Sequence, residues 1–484
     1  AQVADFLAQG SAAVAKMPVR AGVEWGITLG VPTLASYHPR RFFTLTSSCI
    51  ILIATKRWWR RFLVKTLQRT LSISLLSPAQ QQVAKDFQEL IDKNDGDGCG
   101  ILLVDGPAGR FELASGMLSS FSFSKAVYNT RFEIASVTKM MISHVILMVA
   151  AKGSLSLDSM VVEFLHLQGL ENITIRQLLM HKSGLPDFWN DGPAKTLQGF
   201  KDILDWPPIW ARPLSALWCC LILRIFGHML RLNAFMFQSI VSPILVREGA
   251  DSIWNPRQVL QITLQSYEKV ESGVYHYSDT NYVILGIILE ELHQKPLHQV
   301  LQQSIFEPLG MLDTYLRYDY TTQTDYGAED AQLSTRYRSK GKWPLGKFAW
   351  TFPDYSLAAF PLLTVPARYI SADWASGGVV STARDLCIFI RALLRDKEHW
   401  KIIASSMTPD SPYGFGMKTV KISDDKGAIC GHTGNGGACL FYWPEHDVVF
   451  AGTTNNNISN LFSFVKHLIA SDMVLCCLEH HNSS

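Results

Sequence analysis

The chain has 484 residues, 48% of them hydrophobic and 18% charged, which excludes a disordered or fibrous protein. The 44 Lys and Arg residues nearly balance the 42 Asp and Glu residues, so the net charge of +2 gives no reason to expect nucleic-acid binding. Nine cysteines, an odd number without a Cys-x-x-Cys motif, do not have the pattern of a disulfide framework. We expect a globular protein with a sizeable apolar core.

The first predicted segment, residues 1–77, is a basic N-terminal extension, which has no Asp or Glu from residue 26 onward. Its apolar runs are shorter than the ~18 residues that a membrane-spanning helix needs. Residues 40–69 combine Lys and Arg with Trp58 and Trp59, which suits contact with an anionic membrane surface or a targeting arm. An ordinary surface extension is the alternative, so membrane association and export both stay open.

A folded domain is predicted over residues 78–476, because Pro78 suits the first turn of a helix and apolar residues recur at helical spacing over 82–91. The sequence pattern then predicts, in chain order, a strand hairpin at 101–114, helices at 136–153, 157–165, 175–180 and 281–293, strands at 440–443 and 448–453, and a helix at 461–473. Thr174 is the expected N-cap of its helix. Since strands occur near both ends of the domain, we expect one sheet built from both ends around a helical part.

Residues 207–249 interrupt this domain as an apolar insertion. They contain Trp, Leu and Ile together with several Arg residues, so they have the composition of neither a surface loop nor a membrane span. An interfacial helical insertion and an anomalous stretch, such as a gene-model error, both fit this composition. The role of the insertion stays open.

Ser136 and Lys139 are the first candidate catalytic residues, in the spacing Ser-x-x-Lys. A helix that begins at Ser136 places its hydroxyl near free backbone N–H groups, with Lys139 one turn away on the same face. A serine becomes a good nucleophile when a base takes its proton, and an amine whose pKa is lowered by an apolar pocket can be that base. A helix cap followed by a surface lysine is the alternative interpretation.

Tyr277 and Asp279 form the second candidate group, just before the amphipathic helix predicted at 281–293. A phenol near the nucleophile can relay a proton if neighbouring cations favour the phenolate. A short polar side chain two positions later can hold the lysine. The alternative is that Tyr277 packs in the core and Asp279 caps the helix.

The third candidate group lies in a glycine-rich segment and comprises His432, Thr433, Gly434 and Asn435. Glycines allow a substrate to approach closely, and His432, as a cationic or polar residue, can meet a carboxylate. The backbone N–H of Asn435 can complete an oxyanion hole with that of Ser136. A glycine-rich hairpin turn is the alternative. His181 is interpreted as a structural residue at a helix end, and no spacing of His, Cys or Asp predicts a metal site.

Taken together and in this order, the three groups resemble the penicillin-recognising serine hydrolases. This family includes class C β-lactamases, D-alanyl-D-alanine carboxypeptidases, D-stereospecific aminopeptidases and related esterases. Residues 173–179, 183–186 and 376–386 are also typical of it, and the similarity covers most of residues 78–473 except the insertion. The His-Thr-Gly sequence is more similar to the carboxypeptidase and D-peptidase branch than to a dedicated β-lactamase.

The resemblance implies an α/β (α+β) fold of the β-lactamase/transpeptidase type, with an antiparallel sheet flanked by helices and a mainly helical subdomain. The site would lie at their junction, with Ser136 as the acylated nucleophile, Lys139 as its activating partner and Tyr277 as the proton relay. The residues that would line the far wall are His432, Thr433 and Gly434. Asp279 stands where many relatives have Asn, which alters the local charge and the way Lys139 is held. No metal or organic cofactor is implied.

These residues predict a serine hydrolase that forms an acyl-enzyme on Ser136 and acts on a small-molecule or peptide substrate with an amide or ester bond. Penicillin acylation without fast turnover is favoured over penicillin hydrolysis, because no separate deacylating glutamate is evident. The competing hypothesis is a non-catalytic ligand sensor, scaffold or membrane-bound interaction protein. The presence of both Ser136 and Lys139 argues against it. The oligomeric state stays open.

Overall fold

The computed structural model describes residues 76–93, 99–118, 124–189, 191, 253–266, 269–328, 330–334, 371–455 and 458–479, all within one compact unit that begins at Ile73. The predicted membrane contact at 40–69 and the insertion at 207–249 lie outside these residues, as does the N-terminal extension before residue 76. In the part of the chain that is described, no helix has both the length and the hydropathy needed to cross a membrane.

The described chain contains both helices and strands. The helices are α1 (Pro78–Lys93), α2 (Thr138–Ala151), α3 (Ile175–Leu179), α4 (Pro256–Ser266), α5 (Asp279–His293), α6 (Leu297–Leu301), α7 (Glu307–Leu309), α8 (Trp374–Gly377), α9 (Ala383–Arg395), α10 (Lys397–Ser406), α11 (Ile458–Ala470) and α12 (Met473–Glu479). The strands are β1 (Cys99–Gly106), β2 (Gly109–Gly116), β3 (Phe132–Glu133), β4 (Tyr315–Leu316), β5 (Tyr318–Asp319), β6 (Thr324–Asp325), β7 (Val379–Ser381), β8 (Lys418–Ser423), β9 (Gly427–Thr433), β10 (Cys439–Trp443) and β11 (Val448–Thr453).

The largest sheet among the described residues has six antiparallel strands in the order β2-β1-β11-β10-β9-β8. Strands from opposite ends of the chain meet within it, where β1 pairs with β11 from Ile101 opposite Thr453 to Asp105 opposite Val449. All six residues of β11 are buried, as expected for a continuous apolar run that is covered on both faces. The predicted fold class, an antiparallel sheet built from both chain ends with helices between them, is confirmed.

Two apolar clusters account for this burial. One joins Phe87 of α1 and Val465 of α11 to Phe441 of β10. The larger cluster joins Leu440, the neighbouring residue of the same strand, to Met141 of α2 and to most of the helical part. Because consecutive strand residues point to opposite faces, the clusters lie on opposite sides of the sheet. The segment that leads into α2 contacts both β9 and α8, so it lies between the sheet and the helical part.

One predicted element is wrong. The helix expected at 157–165 is a single 3-10 turn at Val161–Glu163, because the backbone N–H of Val161 donates to the carbonyl of Ile173 at 2.8 Å instead of to a helical partner. The predicted N-cap at Thr174 is confirmed, since its hydroxyl accepts a hydrogen bond from the N–H of Gln177. Long-range backbone pairing thus overrides a helical apolar pattern in the first case, whereas local capping is sufficient in the second.

A close contact between α5 and α8 generates a stability prediction. A Cβ atom on Gly286 would collide with that of Ala375 and lie 2.7 Å from Cζ3 of Trp374. We expect Gly286→Ala to lower the free energy of unfolding by about 1–3 kcal/mol, because the two helices must move apart. Glu291→Ala, on the exposed face of the same helix, should lower it by less than about 1 kcal/mol. Urea unfolding measures both variants, and equal stabilities would contradict this account of the contact.

Candidate active site

Ser136 lies in a sharp turn just before α2. The turn is the 3-10 segment Ala135–Val137, so the helix predicted to begin at Ser136 begins two residues later. Ala135 has a φ of 45°, in the left-handed region that residues with a Cβ rarely occupy. The N–H of Ile134 donates to the carbonyl of Val379 at 3.0 Å and anchors the turn to β7. Such a conformation persists where its surroundings hold it, and it is common at functional sites.

Lys139 is completely buried and reaches three acceptors from three parts of the chain. Its Nζ lies 3.1 Å from Oγ of Ser136, 2.7 Å from the carbonyl oxygen of Ser376 and 2.5 Å from Oδ1 of Asp279. An ammonium group has three N–H donors, so each one has a partner. Lys139 is therefore a buried, hydrogen-bonded residue that faces Ser136, rather than the surface lysine of the alternative interpretation.

Tyr277 is the second group in contact with the serine. Its hydroxyl lies 2.9 Å from Oγ of Ser136, and Nζ of Lys139 lies 5.1 Å from the centre of its ring. Burial and the negative charge of Asp279 raise the pKa of Tyr277 well above its usual value. A phenolate at Tyr277 would need a local excess of cations. Asp279 opposes the charge of Lys139, so this condition is not met.

The His-Thr-Gly segment lies beside the serine turn at the end of β9. A Cβ on Gly434 would collide with the carbonyl oxygen of Ile134, so this position requires glycine for the two segments to approach. Asn435 is at the exposed tip of the turn that leads to β10. Its part in an oxyanion hole stays a prediction.

His432 does not have the cationic role that one interpretation of the sequence gave it. Its Nδ1 lies 2.7 Å from the carbonyl oxygen of Thr433 and its Nε2 lies 3.2 Å from the hydroxyl of Tyr413, so both ring nitrogens have protein partners. Burial, followed by the charges of Lys139 and Lys418, lowers the pKa of His432 to about 3. The ring is therefore neutral at pH 7 and cannot pair with a substrate carboxylate as a cation.

Sequence reasoning missed Lys418 and Tyr413. Nζ of Lys418 lies 3.1 Å from Oγ1 of Thr433, because Lys418 is paired with Gly431 across the β8–β9 hairpin. Burial lowers the pKa of this lysine, and no carboxylate among the described residues offsets the effect. The turn at 424–427 in the sequence was a signal for this pairing. No comparable signal points to Tyr413.

The four side chains predicted to form the site, those of Ser136, Lys139, Tyr277 and His432, are thus close together. Ser136, Lys139 and Tyr277 share hydrogen bonds, and the rings of Tyr277 and His432 have centres 6.2 Å apart. Asp279 contacts Lys139 directly. Within the described residues, no group of three or more His, Cys, Asp or Glu side chains is arranged to hold a metal ion.

Comparison with known protein sequences shows which proteins this chain is related to. The chain matches the family model described as Beta-lactamase over residues 83–216 and 245–470. It is similar to penicillin-binding protein 4* of Bacillus subtilis (strain 168), with 25% identity over 333 residues that are 66% of this chain and 57% of that protein. The chain spans little more than half the length of the relatives that it matches in sequence.

Solved structures show the same fold. D-amino acid amidase from Ochrobactrum anthropi SV3 has a TM-score of 0.54 and 20% identity, with 83% of this chain and 100% of that chain covered. EstCE1, a hydrolase with promiscuous acyltransferase activity, has a TM-score of 0.52 and 19% identity, with 82% and 100% covered. The family resemblance inferred from the three motifs is confirmed. Since the family model matches well over half of its residues, the chain belongs to the beta-lactamase family.

Proposed function

We propose that this protein is a serine hydrolase that forms an acyl-enzyme on Ser136 and releases it to water. The observation that carries the proposal is that Oγ of Ser136 lies within hydrogen-bond distance of both Nζ of Lys139 and the hydroxyl of Tyr277. A serine between an amine and a phenol has two groups that can take and return its proton. Amides, peptides and esters are the proposed substrates.

The names of similar proteins support this reaction class. They include an amidase that acts on D-amino acid amides, a hydrolase with acyltransferase activity and penicillin-binding proteins. Each of these activities transfers or binds an acyl group. The identities of the acyl group and of the leaving group in the substrate are part of the proposal, and the measurements below test them.

In the proposed reaction, Oγ of Ser136 forms a bond to a carbonyl carbon, and an amine or alcohol leaves. The serine proton passes to Lys139 or Tyr277, and the same pair protonates the leaving group. An ammonium has no lone pair, so Lys139 must release a proton before it can accept one. The carboxylate of Asp279, which already accepts a hydrogen bond from Lys139, is in place to receive it. Water then attacks the ester, and Ser136 regains its proton.

The role of the nucleophile is tested by Ser136→Ala. We expect kcat on p-nitrophenyl esters and D-amino acid peptides to fall roughly 10³-fold or more, because no other group forms the covalent intermediate. Ser154→Ala, at an exposed serine after α2, is the control and should retain wild-type activity. Turnover by Ser136→Ala at the wild-type rate would refute the proposal.

The negative charge of Asp279 leads to a prediction about the pH dependence of kcat/KM. Because this carboxylate raises the pKa of Tyr277, Asp279→Asn should lower that pKa. More of the deprotonated phenol is then present at a given pH. We expect the part of the kcat/KM profile that rises with pH to move to lower pH in the variant.

The control for this experiment is Asp472→Asn, which removes an exposed carboxylate paired with Lys426. Its pH profile should match that of the wild type. Circular dichroism checks that Asp279→Asn is folded, since it leaves the buried Lys139 without its ion-pair partner. A shift of the rising limb to higher pH would contradict the proposed effect of Asp279.

Lys418 and Thr433 are proposed to bind an anionic group of the substrate. His432 is neutral and both of its nitrogens are engaged, whereas Lys418 is a partly buried cation with no carboxylate partner among the described residues. A substrate carboxylate next to Thr433 would supply the missing charge. A charge-assisted hydrogen bond of this kind contributes about 1.5–3 kcal/mol.

Paired substrates test this assignment. We expect Lys418→Gln to lower kcat/KM by about 10- to 100-fold for a D-peptide with a free C-terminal carboxylate, and by much less for its C-terminal amide. Lys421→Gln, at an exposed lysine of the same strand, should not change this preference. An equal loss on both substrates would exclude Lys418 as the carboxylate-binding residue.

A further inference from the structure

A chain of buried side chains joins two segments of the candidate site. His181, Tyr413 and His432 have 0%, 3% and 3% of their surface exposed. The hydroxyl of Tyr413 lies 3.2 Å from Nε2 of His181 and 3.2 Å from Nε2 of His432. Tyr413 is therefore the bridge between the two imidazoles.

The protonation of His181 follows from its neighbours. The backbone N–H of Ser278 donates to Nδ1 of His181 at 3.1 Å, so this nitrogen must present a lone pair. The side-chain nitrogen of Asn281 approaches the same atom at 3.1 Å, while its oxygen accepts a hydrogen bond from Ser183. In the neutral ring the proton is therefore on Nε2, which donates to the hydroxyl of Tyr413.

The protonation of His432 follows in the same way. Its Nδ1 lies 2.7 Å from the carbonyl oxygen of Thr433, which can only accept, so Nδ1 carries the proton. In the neutral ring Nε2 then has the lone pair and accepts from Tyr413. The hydroxyl of Tyr413 accepts from one histidine and donates to the other, and the hydrogen bonds run in one direction from Ser278 to Thr433.

We propose that Tyr413 is a positioning residue that fixes His181 and His432 as neutral rings of opposite tautomer, and thereby holds the Tyr277–Asp279 segment and the end of β9 in place around Ser136. His181 supports Tyr277 directly, because the centres of their rings are 4.3 Å apart. The segment that carries Thr433 is held at the other end of the chain of bonds. The inference rests on the proposed function for its catalytic consequence, but the tautomers themselves do not depend on it.

The surroundings favour neutral rings. Burial and the charge of Lys139 are the largest effects that hold the pKa of His181 well below its usual value and that of His432 at about 3. The titratable groups that face the three side chains are Lys139, Lys418, His276, Tyr275, Tyr277 and Tyr282. The hydroxyl of Tyr282 also contacts Tyr413, but its own proton is donated to the carbonyl of Leu179 at 3.0 Å.

Long-range ¹H–¹⁵N NMR of the imidazoles in the full chain tests the proposal. At pH 7 we expect His181 to be protonated on Nε2 alone and His432 on Nδ1 alone, with neither ring titrating between pH 5 and 8. A cationic ring, or the opposite tautomer at either position, would overturn the proposal. This measurement needs no turnover, so its failure is distinguishable from failure of the proposed function.

Tyr413→Phe removes both bonds and provides the catalytic test. The loss of the hydroxyl that donates to Nε2 should raise the pKa of His432, and kcat/KM should fall about tenfold at pH 7 and more steeply toward acid pH. Tyr442→Phe, on β10, removes a hydroxyl from a ring that packs on Trp400 and should change neither quantity. If Tyr413→Phe keeps the wild-type pH profile and His432 titration, Tyr413 does not have this positioning role. The wild-type NMR result decides the tautomers even if the variant does not fold.

Discussion

The structure of the site depends on the burial of one ammonium group. Removing a charge from water costs several kcal/mol unless it is paired and fully hydrogen-bonded. Lys139 meets this condition only because the serine turn, the first residue of α5 and the carbonyl of Ser376 in α8 converge on its Nζ. Moving any of these three segments would leave a buried donor without a partner. The same contacts direct Lys139 at Ser136, so the cost of burying the charge is linked to the geometry around Ser136.

The protonation states of the groups around Lys139 depend on burial as much as on residue type. Asp279 balances Lys139 and keeps Tyr277 protonated, while His432 is neutral between two lysines. The site therefore contains Lys139, which is paired with Asp279 next to Ser136, and Lys418, which has no carboxylate partner among the described residues, at the start of β8. The proposed carboxylate-binding role of Lys418 depends on this division.

The sequence was sufficient wherever a local pattern or an ordered set of motifs carried the information. The contact between Ser136 and Lys139 follows from one helical turn, and Tyr277 and His432 were found through their motifs. Lys418 and Tyr413 were missed, and Ser376 was recognised only as part of a family-typical segment, because hairpin pairing and tertiary packing bring these residues to the site. The neutral state of His432 could not be predicted either, since it depends on burial and on the charges of Lys139 and Lys418. The prediction of a helix at 157–165 was wrong because the backbone N–H of Val161 donates to the carbonyl oxygen of Ile173.

The activation of Ser136 is tested most directly by mass spectrometry of this chain after reaction with a fluorophosphonate probe, followed by peptide mapping. A serine that is activated by the buried lysine and the phenol should carry a single covalent adduct, located on Ser136. An unlabelled protein, or an adduct on another residue with Ser136 unmodified, would contradict the account.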